Sequence, residues 1–135
     1  MFGRIINLES GYAQGDIAQI SKNLLSVAIK SSKPLSLAVA GEENSLRVYE
    51  GSPCLFVKSE SQHTNFTNQI KYSPDGALLA SVSTDRKIVL YDAKTTTVVK
   101  SKVNAHEAGI MSLDWIDNGK LVTCSNDKQL KIWDI

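Results

Sequence analysis

Two groups of residues in this 135-residue chain have side chains that could carry out nucleophilic or acid–base chemistry. His63, Ser81, Ser83 and Asp85 make one group; His106, Thr123, Ser125 and Asp127 make the other. A histidine that takes a proton from a hydroxyl, its ring held by a carboxylate, is the arrangement of an acyl-transfer triad. The same two histidines, with Cys54 and Cys124, are residue types that ligate zinc. Spacing argues against both readings. No Gly-x-Ser-x-Gly elbow is present, and the candidate ligands lack the short spacings of a metal site. Gly41 and Gly51 are isolated turn glycines, not a phosphate loop. The two groups are also copies of each other. A set that returns at a fixed period belongs to the architecture. The chain is therefore expected to be no enzyme and to use no metal or cofactor.

The period is visible in three aligned segments, Leu37 to Glu50, Leu79 to Asp92 and Leu121 to Asp134. Tyr49, Tyr91 and Trp133 are 42 residues apart in turn, as are Glu43, Asp85 and Asp127. His63 and His106 are 43 apart, so a loop absorbs one residue. Within each unit, short runs of Val, Ile, Leu and Tyr alternate with turn residues, which reads as strands. Ser73-Pro-Asp-Gly76 and Ile116-Asp-Asn-Gly119 are expected turns, with a second tight turn at Asp85-Arg86 and Asp127-Lys128. No stretch keeps apolar residues at helical spacing over three turns with caps.

Bulk properties fit a globular binding domain. Hydrophobic residues are 42% of the chain and charged residues 21%, with a net charge of +1. Such a balance gives no electrostatic footprint for nucleic acid. Apolar runs are too short for a transmembrane helix, and the first residues show no secretory h-region. Two distant cysteines read as reduced thiols of a cytoplasmic protein.

A histidine, a strand, Ser73-Pro-Asp-Gly76, the run Ala80 to Asp85 and then Leu90-Tyr-Asp92 together resemble the WD repeat, as does Asn126-Asp127 followed by Ile132-Trp-Asp134. The resemblance implies an all-β fold, a WD-repeat β-propeller segment of about three blades. Residues 1–20 would end one blade, 21–59 and 60–103 would each form a blade, and 104–135 an incomplete one. The expected strands of the first part are Arg4 to Glu9 and Asp16 to Gln19. About three blades cannot close a propeller. The expectation is a partial propeller belonging to a longer run of WD repeats, with self-association of copies as the alternative. The resemblance also implies a buried hydrogen-bonded tetrad in each blade. His63, Ser81 or Ser83, Asp85 and Tyr91 would form one; His106, Thr123 or Ser125, Asp127 and Trp133 the other. Ser81 and Ser83 share a strand face, so either could serve. The first unit departs from the pattern: Ile20-Ser21 stands in place of the histidine, Val39 and Gly41 in place of the hydroxyls, and Glu43 in place of Asp. That blade is expected to rely on apolar packing alone.

A narrower resemblance lies in the order Phe2-Gly3, Glu9-Ser-Gly11, Gly15-Asp-Ile17, Ser26-Val-Ala-Ile-Lys30, Gly41-Glu-Glu-Asn44, Tyr49-Glu-Gly-Ser-Pro53, His63-Thr-Asn-Phe66 and Ala105-His-Glu-Ala-Gly-Ile110. It is similar to the first propeller of the actin-interacting protein 1 family. That family implies protein binding without chemistry. Its members bind actin, work with cofilin-type severing proteins, promote filament disassembly and act in the cytoplasm on the actin cytoskeleton. The family's actin-facing acidic turn residue falls on Glu42, and its aromatic residues on Phe56 and Phe66, all expected on loops of one face. A solvated Glu42 and buried phenylalanines are the plainer readings of the same residues. A generic WD-repeat scaffold for another protein assembly is the alternative function.

Overall fold

A computed structural model of the chain describes residues 3–6, 8–17, 22–30, 33–51 and 54–135. Among the described residues there are thirteen strands and no helix. A hairpin of β1 (Gly3–Ile6) and β2 (Ala13–Ile17) comes first. Its second strand lies earlier than the expected Asp16 to Gln19, and residues 18 and 19 fall outside the described residues. Three antiparallel sheets follow. The first is β3 (Leu24–Lys30), β4 (Ser36–Gly41), β5 (Leu46–Glu50) and β6 (Leu55–Glu60). The second is β7 (Thr67–Tyr72), β8 (Leu78–Ser83), β9 (Ile88–Asp92) and β10 (Val98–Lys102). The third is β11 (Ile110–Asp117), β12 (Lys120–Ser125) and β13 (Leu130–Asp134). Strands run in sequence order across each sheet, so every connection is a simple antiparallel one.

The second strand of each sheet is its driest. All of β4 is buried, and β8 is buried apart from its first residue. A strand covered on both faces reads as a nearly continuous run of small and apolar residues, which is what Ser36 to Gly41 and Leu78 to Ser83 are. The outermost β10 is exposed throughout, although its valines read as a strand. Two cores lie between sheets. Ala38, Ala40, Leu46 and Val48 of the first sheet meet Ile70, Leu79, Val89 and Tyr91 of the second. Ala80, Val82, Ile88 and Leu90 of the second sheet meet Leu113 and Leu121 of the third, flanked by Trp115 and Trp133.

Polar bonds set how the sheets dock. The inner strands carry register shifts at matching places, between Leu24 and Ser26, Thr67 and Gln69, and Ile110 and Ser112. In the first two sheets the residue just past the shift reaches the next sheet. Ser26 Oγ accepts the Ile70 N–H at 3.1 Å, and Gln69 Oε1 accepts the Leu113 N–H at 2.7 Å. The hydroxyls of Ser36 and Tyr72 (3.0 Å) and the Trp115 indole N–H donated to the Lys71 carbonyl (3.1 Å) add to these junctions.

The turns between the second and third strands repeat in detail. Asn44, Arg86 and Lys128 hold φ of 60°, 69° and 67°. This left-handed conformation is uncommon for residues other than glycine and typical of a short hairpin loop. The first residue after each second strand donates its N–H to the loop entering the sheet. Glu42 bonds Asn23 O, Thr84 bonds Phe66 O and Asn126 bonds Gly109 O, each at 3.0 Å. Where Ser83 and Ser125 stand in their sheets, the first sheet has Gly41, and the Asn23–Leu24 backbone closes directly onto it. A Cβ at Gly41 would overlap Asn23 O and come within 2.9 Å of Leu24 Cα. Gly41→Ser would bring this sheet nearer to the repeat pattern. It is nevertheless expected to destabilise the chain by about 2 kcal/mol through overpacking, read as a lower urea midpoint at unchanged slope.

Candidate functional site

The two histidine groups form by the same local route. A loop carries each histidine over the end of its sheet, and the following turn carries the aspartate back beneath it. His106 Nδ1 lies 2.8 Å from Asp127 Oδ2, and His106 Nε2 lies 2.8 Å from Thr123 Oγ1. The Trp133 indole N–H then donates to Thr123 Oγ1 at 2.9 Å. Only one proton arrangement satisfies the whole line. The indole and the threonine O–H donate in turn, Nε2 accepts, and Nδ1–H donates to the carboxylate. His63 repeats it, with Nδ1 at 3.0 Å from Asp85 Oδ2 and Nε2 at 2.7 Å from Ser81 Oγ. Tyr91, at the place of Trp133, makes no hydrogen bond of good geometry through its buried hydroxyl, although Ser81 lies close enough to affect its ionisation. Burial pushes that phenol up to about 12.

The structure thereby separates the two hydroxyls that share each strand face. Ser81 and Thr123 meet the histidines. Ser83 and Ser125 instead accept the N–H of Asp85 and Asp127 and donate to loop carbonyls, Asn65 for Ser83 and Ala108 and Gly109 for Ser125.

The electrostatics of His63 agree with a neutral ring. Burial holds the His63 pKa below its ordinary 6.5, and Lys87 adds to this against the attraction of Asp85. For Asp127 burial alone would raise the pKa. Hydrogen bonds from Gln129 N–H, the His106 ring and Glu107 N–H outweigh it and bring the group down to about 2. Asp85 is lowered in the same way: burial opposes, and Thr64 N–H, His63 and Lys87 N–H win. His106 is 1% exposed. A cleft of about 420 Å³ opens beside Ile29, Lys71, Tyr72 and Asp75, and another of about 250 Å³ beside Leu90, Leu121, Trp133 and Ile135. Neither is lined by His63, Ser81, His106 or Thr123, which are all buried. Among the described residues no cluster of His, Cys, Asp or Glu has metal-holding geometry.

The first sheet is a correction to the expectation of apolar packing alone. Glu43 stands where Asp85 and Asp127 stand, and it pairs with Arg47 across the turn at 2.6 Å in partly buried surroundings. Ile20 and Ser21 lie outside the described residues. Arg47 was not singled out in the sequence. The signal was the basic residue four positions past the substituted acid.

Of the three surface candidates, the structure brings two to one end of the sheets. Glu42 begins the β4–β5 turn, its backbone and side chain bonded to Asn23. Phe66 occupies the corresponding loop position of the next sheet, facing the β8–β9 turn, and is 43% exposed. Phe56 does not join them. It is the second residue of β6 and pairs with Tyr49, three residues along β5 from the Glu42 turn, roughly 10 Å away. Nor is it buried: it is 55% exposed, packed edge-on to Tyr49 with ring centroids 5.7 Å apart.

Comparison with known proteins agrees with this geometry. The family described as "WD domain, G-beta repeat" matches residues 54–92 and 97–134. Actin-interacting protein 1 of Drosophila melanogaster is 33% identical over 136 residues, which is 99% of this chain and 22% of that protein. WD repeat-containing protein 1 of Gallus gallus is 37% identical over 137 residues, again 99% of this chain and 22% of the relative. The chain thus spans about a fifth of the length of these relatives. The solved structure titled "Structure of U3-55K" superposes with a TM-score of 0.87 at 20% identity, over 96% of this chain and 41% of that one, a likeness of fold.

Two measurements test the histidine networks. Thr123→Val strands both the Trp133 N–H and His106 Nε2 and is expected to cost about 3 kcal/mol, whereas Ser81→Ala strands only His63 Nε2 and is expected to cost about 2 kcal/mol. Denaturant titrations of the two variants read the difference. For pH, the unfolded chain protonates His63 before the folded one does, so stability falls as pH drops below 6.5. A second fall follows below 3.8, where the unfolded carboxylates take protons that Asp127 and Asp85 resist. Urea midpoints measured from pH 8 to pH 3 check both steps, and Ser81→Ala combined with His63→Leu removes the first.

Proposed function

Because the chain belongs to the WD domain, G-beta repeat family, we propose that it is a protein-binding segment of an actin-regulatory propeller. In this reading residues 21–59, 60–103 and 104–135 are successive blades, and residues 1–20 end the blade before them. The observation that carries the reading is a likeness running through 99% of the chain to a relative named for interaction with actin. The surface supports it. Glu42 and Phe66 sit on neighbouring sheets at the same turn-bearing end, an acid beside a half-exposed aromatic ring. An aromatic anchor supplies contact area, and an acid sets orientation and encounter rate. Phe56 belongs to the opposite end and is left out of this contact. The buried histidines hold the turns that carry the surface and take no part in chemistry. Cooperation with cofilin-type proteins in filament disassembly is the activity this surface would serve, in the cytoplasm at the actin cytoskeleton.

Co-sedimentation with actin filaments, with and without a cofilin-type protein, tests the reading. The chain is expected to pellet with filaments. Glu42→Lys and Phe66→Ala are each expected to weaken binding by about 5- to 30-fold, as loss of roughly 1–2 kcal/mol implies, and Phe56→Ala to leave it unchanged. Undiminished binding in both weakened variants, or no binding by the parent chain, would favour the generic scaffold.

A further inference from the structure

The turn between β11 and β12 holds the one Asn–Gly pair of the chain, Asn118-Gly119. An asparagine followed by glycine can react with its own backbone, because no side chain on the next residue blocks the approach of its nitrogen to the amide carbon. Two hydrogen bonds of this turn address the two halves of that reaction. The Gly119 N–H donates to Asp117 Oδ1 at 2.7 Å, so a carboxylate lies where the nucleophilic nitrogen must lose its proton. The Asp75 N–H of the second sheet donates to Asn118 Oδ1 at 3.0 Å, on the oxygen where negative charge develops when the amide carbon is attacked. Asp117, Asn118 and Gly119 are all exposed, so water reaches the site.

The second sheet carries the matching turn. At the spacing of the two histidines, Asp75-Gly76 stands where the third sheet has Asn118-Gly119, and Pro74 stands in place of Asp117. Asp75 is exposed although a sheet packs on either side of its own, so exposure belongs to this turn position. The second turn has no amide to lose. Its Asp75 carboxylate accepts the Ser73 hydroxyl at 2.6 Å and the Ala77 N–H at 3.0 Å.

We propose that Asn118 is a self-modifying site, converted by its own turn to aspartate and isoaspartate. The Gly119 nitrogen bonds to Asn118 Cγ and passes its proton to Asp117. The bond from Cγ to the amide nitrogen breaks, and that nitrogen takes the proton and leaves as ammonia, closing a succinimide ring. Water then adds to one of the two ring carbonyls. The bond from that carbon to the ring nitrogen breaks, and the nitrogen regains a proton. Opening at Cγ gives aspartate, whose oxygen can still accept the Asp75 N–H. Opening at the main-chain carbonyl gives isoaspartate, which runs the backbone through the former side chain, adds a methylene to the turn and displaces the oxygen that Asp75 holds. The product thus decides whether this bridge between the second and third sheets survives. The site lies at the end of the sheets away from Glu42 and Phe66, and its chemistry is independent of the actin reading.

Peptide mapping of the full chain held at neutral pH tests the site. Mass and retention time read the conversion of residue 118 and separate the two products, and a protein isoaspartate methyltransferase labels the second. The folded chain is expected to convert at least as fast as the chain unfolded in urea, since only the fold brings the Asp75 N–H. Gly119→Ala is expected to slow conversion several-fold. A Cβ there would meet only Asp117 Oδ1, at 3.5 Å, beyond its chain neighbours, and φ is not positive, so the fold is kept. Asp117→Asn is expected to slow conversion several-fold and to steepen its fall from pH 8 to pH 6, because hydroxide is then the remaining base. Urea midpoints check that both variants fold. A folded chain that keeps its asparagine while the unfolded chain converts overturns the proposal. So does an Asp117→Asn variant that reacts with the parent's rate and pH slope.

Discussion

A hydroxyl on a buried strand face must find its partners inside the protein. That constraint organises most of this structure. β8 is packed between neighbouring sheets, β12 is covered on the face that carries Thr123, and Ser81 and Thr123 lie in the middles of these strands. Water cannot reach them, and an unpaired hydroxyl there would cost more than the bond itself gains. The histidine comes down from the loop above to meet it, and the ring needs an anion on its far nitrogen. The aspartate supplies that from the turn, while accepting backbone N–H groups of both turn and loop. A requirement at the strand centre thereby fixes the geometry of loops at its end, where the surface groups sit.

The first sheet shows what happens when the requirement is lifted. Val39 needs no partner, so no histidine is called for, and the acid is released to serve another purpose. Glu43 finds Arg47, and Glu42 finds Asn23. Loop attachment passes from side-chain bonds to close backbone contact at Gly41. The turn itself is unchanged, with Asn44 in the same left-handed conformation as Arg86 and Lys128. One fold tolerates either solution because both bring the entering loop to the same carbonyl-to-turn bond.

How much of this the sequence disclosed follows from what each feature demands of residue type. The 42-residue beat was legible because Tyr49, Tyr91 and Trp133, with the acids before them, occupy places that few residue types fill. The histidine–aspartate pairs were legible for the same reason. Which serine serves the ring was not. Ser81 and Ser83 lie on one strand face, and only their depth relative to the loop distinguishes them. The clamps were hidden because a short serine and a long glutamine do one job, each placed by a bulge that side-chain patterns do not reveal. The separation of Phe56 from the Glu42 turn was not legible, because it depends on how β6 pairs with β5, which residue types do not state.

The clamps at Ser26 and Gln69 have a mechanical consequence. Each joins a sheet only to its immediate neighbour, and so do the two apolar cores. The molecule is in effect a row of slabs with nearest-neighbour coupling. The second slab carries both junctions, with the first sheet on one side and the third on the other. The turn-borne groups of that slab, Phe66 among them, rest on a sheet clamped from two sides.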